Sequence, residues 1–158
     1  MKSKWVLITV FVLAACMAVW ALAAKDFSGT WVLDPSKSDQ MMGGRGGGAP
    51  GGPVEIVIAH SGNELTITRT FQGNPMETKY ILDGAEHTQS SGRGGELKYK
   101  AAWDGDNLVI SGTRVTQRGE MPMKEVYSLS EDGKVLTIAT TRSGPQGEQV
   151  FKQVYNKK

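Results

Sequence analysis

Apolar positions along most of the chain recur at every second residue, the period of a half-buried strand. One pattern appears three times. Ser61-Gly62-Asn63-Glu64-Leu65-Thr66-Ile67, Asp104-Gly105-Asp106-Asn107-Leu108-Val109-Ile110 and Asp132-Gly133-Lys134-Val135-Leu136-Thr137-Ile138 each place Leu three residues after Gly and Ile two further on. Gly supplies the positive φ of a tight hairpin turn, and Leu-x-Ile opens a strand with one apolar face. Leu82-Asp83-Gly84 reads as a fourth turn. Between the turns, alternation predicts strands near 28–34, 54–60, 64–71, 76–82, 86–91, 97–103, 107–116, 123–129, 135–142 and 148–156. No stretch after residue 25 keeps helical periodicity for three turns, although Pro35-Ser36-Lys37-Ser38 would admit a short helix over 35–41. The expected fold class is all-β: an antiparallel up-and-down meander of 8–10 strands, closed or nearly closed into a barrel.

The leading segment departs from this pattern. Lys2 and Lys4 precede 20 uncharged residues, Trp5 to Ala24, and Ala21-Leu22-Ala23 fits the small-x-small rule for signal peptidase. Residues 1–23 are expected to be a signal peptide and 24–158 the barrel domain, exported to the periplasm or secreted. Two other fates compete. Leu13-Ala14-Ala15-Cys16 has the form of a lipobox, so lipid on Cys16 would tether the protein to a membrane. An uncleaved segment of this length would also span a bilayer. A membrane partner is expected only in those two cases.

Charge and glycine then narrow the partners. The chain carries 18 Lys and Arg against 16 Asp and Glu, and Lys2 and Lys4 lie in the leader, so the remainder balances. Nothing global steers it to nucleic acid. The single Cys excludes an intramolecular disulfide. Gly43 to Pro53 contains seven Gly and two Pro and is expected to form a flexible loop after the first strand. Ser90-Ser91-Gly92-Arg93-Gly94-Gly95 is a shorter loop. Each contains Arg-Gly-Gly, which in an exported neutral protein reads as linker.

Phe27-Ser28-Gly29-Thr30-Trp31 and Val154-Tyr155-Asn156-Lys157-Lys158 bracket the domain. This Gly-x-Trp start and Tyr-x-Lys-Lys end resemble those of bacterial exported lipocalin-like, calycin-type domains, over about residues 26–158. The resemblance implies a barrel closed at one end by Trp31, with a basic residue, Arg142 or Lys152, over its ring as a cation–π partner. The Thr-Asp-Tyr-like second motif of lipocalins is missing, and ten strands suit the fatty-acid-binding relatives better. Those hold a carboxylate with Arg-x-Tyr on the last strand, where this chain reads Gln153-Val154-Tyr155.

Strand parity supplies the candidate chemistry, because side chains two apart share a face. The face of the Leu-x-Ile pairs also carries Arg69, Arg114 and Arg142, each at the strand end away from its hairpin turn. Converging at one barrel mouth, their planar guanidinium forks would match the head group of an amphiphilic anion. Tyr99 with Trp103, and Tyr127 with Leu129, would add an aromatic wall. Competing with this, Arg at a strand end also snorkels into water, and Glu125, on the parity of Tyr127, is placed to pair with one of the three. Trp103 equally suits the core.

His60 and His87 are the only histidines, and neither has further ligands at metal spacing. Asp104, Asp106, Glu131 and Asp132 flank turn glycines, and no nucleophile motif is present. No metal, cofactor or enzymatic activity is expected. The function expected is extracytoplasmic binding of a small apolar or amphiphilic anionic ligand, similar to a fatty acid or lipid. The alternative is a cell-envelope interaction or structural protein with a filled barrel. A protein partner is not specified by the sequence.

Overall fold

The computed structural model describes residues 25–39, 55–71, 73–91, 95–116, 119–144 and 147–158. Ten antiparallel strands follow one another: β1 (Gly29–Leu33), β2 (Glu55–Ser61), β3 (Glu64–Phe71), β4 (Asn74–Ile81), β5 (Glu86–Ser91), β6 (Gly95–Asp104), β7 (Asn107–Thr116), β8 (Gly119–Leu129), β9 (Val135–Gly144) and β10 (Gly147–Lys157). Each predicted strand is present. The leader, the lipobox at Cys16 and the Gly43–Pro53 loop lie outside the described residues.

The strand order is β4-β3-β2-β1-β10-β9-β8-β7-β6-β5. The first and last strands pair in register, Trp31 opposite Lys157 and Leu33 opposite Tyr155, and so join the two halves of the meander. The ring is left with one seam, between β4 and β5, the two ends of the strand order. Tyr99 of β6 bridges that seam. Its Oη accepts a hydrogen bond from the Ile81 N–H at 3.2 Å, and its ring meets Tyr80 edge-on at 5.0 Å between centroids.

The repeated turns behave as their sequence requires. Gly62 and Gly105 both adopt φ of +58° in two-residue hairpin turns, a conformation Gly reaches without a steric penalty. No helix forms over 35–39. There, the Ser38 hydroxyl accepts from the Val154 N–H at 2.9 Å, and the Asp39 carboxylate accepts from the Lys152 N–H at 2.8 Å. The segment thus continues along β10 beyond the end of β1, and these bonds displace the helical alternative.

One end of the barrel is packed solid. Phe27 stacks on Trp103 with centroids 5.6 Å apart, and the Trp31 Nε1–H donates to the Phe27 carbonyl at 2.9 Å. Leu65, Leu108 and Leu136, one from each repeat, are buried in the same core. The cation over Trp31 is Lys157, with Nζ 5.2 Å from the ring centroid, in place of the expected Arg142 or Lys152. Register explains the correction. Lys157 lies opposite Trp31, whereas Arg142 pairs with Gln149 and Met123 toward the other end, and Lys152 is exposed.

Candidate functional site

The ladders define which side chains point inward at the end opposite Trp31. Arg69 lies opposite buried Ile56 and opposite Met76. Arg114 lies opposite buried Leu97 and opposite Met121. Arg142 lies opposite Met123. The three arginines therefore share the inward parity, with Arg69 largely buried and the other two nearer solvent. Met76 and Met121 share that face yet remain 38% and 51% exposed. Arg114 and Arg142 are exposed too. Solvent therefore reaches the inward-facing side chains at this end of the barrel, the cup.

Below the rim, the arginines part company. The Arg69 Nη2 donates to the Glu125 carboxylate at 3.2 Å and to the Tyr127 hydroxyl at 2.7 Å, and that hydroxyl donates to the same carboxylate at 2.5 Å. Arg69 and Glu125 are 19% and 14% exposed, and Tyr127 is buried. Burial works against the charge on Arg69, but Tyr127 and Glu125 outweigh it and hold its pKa above the usual arginine value. Burial also pushes the Tyr127 hydroxyl well up, with Glu125 adding to the effect. Tyr80, raised to about 12 chiefly by burial and then by Glu125, completes the cluster. Arg114 acts on Tyr80 electrostatically, but neither Arg114 nor Arg142 has an ion-pair partner among the described residues.

The aromatic candidates divide in the same way. Tyr127 reaches up from the core to the floor of the cup through its hydroxyl. Tyr99 fastens the seam. Trp103 lies at the packed end against Phe27 and His60, away from the arginines. Tyr99 and Trp103 do share a face, but they are four residues apart on an extended strand, about 13 Å. Glu125 pairs with Arg69, the partnership its parity offered, while Tyr80, Met76 and Met121 belong to the site without having been marked for it. Met121-x-Met123-x-Glu125-x-Tyr127 is an inward series, but Pro122 interrupts its β propensity, and the alternation alone starts the strand at 123.

A concavity of about 520 Å³ lies around Gly112 on the β6–β7–β8 wall. Its lining combines Lys98, Lys100, Ser111 and Thr113, on the alternate parity, with Tyr99 and Met123 from the inward face. Among the described residues no three His, Cys, Asp or Glu side chains group as a metal site, and no helix is long and apolar enough to cross a membrane.

Comparison with solved structures identifies the architecture. The fold is a ten-stranded antiparallel up-and-down barrel with the topology of fatty-acid-binding-like barrels. The chain is similar to REP1-NXSQ, a fatty acid transporter, with a TM-score of 0.61 and 14% identity over 84% of this chain and 96% of that one. It is similar to the zebrafish ileal bile acid-binding protein complexed with cholic acid, with a TM-score of 0.60 and 21% identity over 84% and 98%. A fatty-acid-binding protein from Drosophila melanogaster brain gives 0.56 and 18% over 83% and 99%. No protein-family model matches the sequence, and no curated protein aligns with it. At these identities the likeness is one of fold.

Proposed function

We propose that the protein binds a small amphiphilic anion outside the cytoplasm, with the apolar part inside the cup and the anionic group against Arg114 and Arg142. The observation that carries this reading is the rim itself, where inward methionines and two arginines without carboxylate partners among the described residues face solvent. Methionine offers an adaptable apolar surface, and the arginine fork suits a carboxylate or sulfonate. The structural neighbours, a fatty acid transporter and a bile acid-binding protein, support a ligand of that class. The leader, with Lys2 and Lys4 ahead of an apolar stretch, supports export. The packed half of the barrel around Phe27, Trp31 and Leu108 favours the second reading, an envelope protein that works through its surface and holds no small molecule.

Native mass spectrometry on protein purified from a bacterial host without delipidation tests the choice. The binding reading expects an extra mass that denaturation removes and that fatty acid restores. Arg114→Ala and Arg142→Ala are each expected to weaken it about tenfold, the scale of one charge-assisted hydrogen bond. A clean mass before and after incubation with fatty acids and bile salts would favour the surface protein. The denatured mass also reports whether the leader is removed before Ala24 or Cys16 carries lipid.

A further inference from the structure

The floor of the cup has already balanced its own charge. Glu125 accepts from both the Arg69 guanidinium and the Tyr127 hydroxyl, so the main cation at that depth is occupied by an internal anion. The pair keeps 19% and 14% of its side-chain surface open to solvent. A carboxylate arriving there would meet Glu125 at the same guanidinium and lose its hydration against a like charge. A neutral hydroxyl would not, since it can donate to Glu125 and accept from Arg69 together. The surroundings are neutral and polar as well. Thr140 lies opposite Glu125 in the β8–β9 ladder, and Tyr80 and Tyr155 stand within electrostatic reach of both members of the pair.

The rim differs in charge and in height. Ile110, Glu125 and Thr140 form one row across β7, β8 and β9. Arg114 and Met121 lie four residues higher, about 13 Å at the rise of an extended strand, and Arg142 lies two residues above Thr140. Arg142 thus stands about 7 Å and Arg114 about 13 Å along the strands from a self-neutralised floor that still offers hydrogen bonds, a span that a medium alkyl chain covers.

Resting on the binding reading above, we propose that the ligand is bipolar. Its anionic group stays at the rim on Arg114 and Arg142, and a neutral hydroxyl at its far end enters the Arg69–Glu125–Tyr127 floor. The floor selects the hydroxylated amphiphile over the plain one and rejects a second anion.

Calorimetric titration of the full chain with dodecanoate, 12-hydroxydodecanoate and dodecanedioate tests this. The hydroxy acid is expected to bind about tenfold tighter than dodecanoate, because a hydrogen bond to a charged group replaces a methyl against polar surface. The diacid is expected to bind most weakly of the three. Glu125→Gln keeps the shape and removes the charge, and is expected to close most of the gap between diacid and hydroxy acid. The ranking in the unaltered protein stands whether or not that variant folds. Dodecanoate binding as tightly as the hydroxy acid, or the diacid matching it, overturns the bipolar ligand while leaving the cup a binding site. No binding by any of the three removes both.

Discussion

The Tyr127 hydroxyl lies between a guanidinium and a carboxylate beneath the cup, and this arrangement sets how the protein responds to pH and to substitution. Burial raises the hydroxyl pKa values of Tyr80 and Tyr127, to about 12 for Tyr80. A raised pKa means the folded state holds its proton where the unfolded chain releases it. The stability tied to these protons is therefore complete below about pH 10, the ordinary tyrosine value, and falls as pH rises through the folded values. Urea midpoints are expected to stay flat with respect to these groups up to about pH 10 and then drop toward pH 12, with Tyr80→Phe flattening part of the drop. A midpoint unchanged up to pH 12 would contradict the buried cluster. Arg69→Met leaves Glu125 without its cation and is expected to cost about 1–3 kcal/mol in the same denaturation experiment. Less was legible in the sequence at this scale. Parity aligned Arg69, Arg114 and Arg142 and placed Glu125 with Tyr127, but alternation carries no depth. It therefore could not tell that Arg69 would be neutralised while Arg114 and Arg142 stayed at the rim, nor that Trp103 belonged to the packed end.

Strands and turns were far more legible, because hairpin chemistry is local. Gly62 and Gly105 mark tight turns, and the Leu-x-Ile after each turn sets which face goes inward. What local signals missed depends on contacts distant in sequence: the extended run of Ser38 and Asp39 along β10, and the seam. Two variants test the element scale. A Cβ at Gly112 would sit 2.1 Å from the Lys98 carbonyl oxygen, so β7 there passes too close to β6 for any side chain. Gly112→Ala is expected to destabilise the barrel by about 1–3 kcal/mol through forced backbone movement, read as a lower denaturation midpoint. Tyr99→Phe removes the one hydroxyl that caps the Ile81 N–H across the seam. Its expected signature is faster amide exchange at Ile81 with a global loss of about 0.5–1.5 kcal/mol.

The whole molecule is a barrel of two unlike halves: one filled by Phe27, Trp31, Trp103 and the three repeat leucines, the other carrying Arg and Met side chains that reach solvent at the rim. The filled half supplies most of the buried apolar surface and with it most of the stability. The architecture follows from composition and period. The division into halves does not, because it depends on which inward side chains reach across the barrel and which stop short. The measurement that bears most directly on this division is a methionine-methyl NMR titration of the full chain with dodecanoate. The methyls of Met76 and Met121 are expected to shift together along one saturating curve, and Arg114→Ala is expected to move that curve to higher ligand concentration. Methyls that stay in place, or amide shifts confined to Lys98, Lys100, Ser111 and Thr113 around the other concavity, would contradict the cup as the binding site.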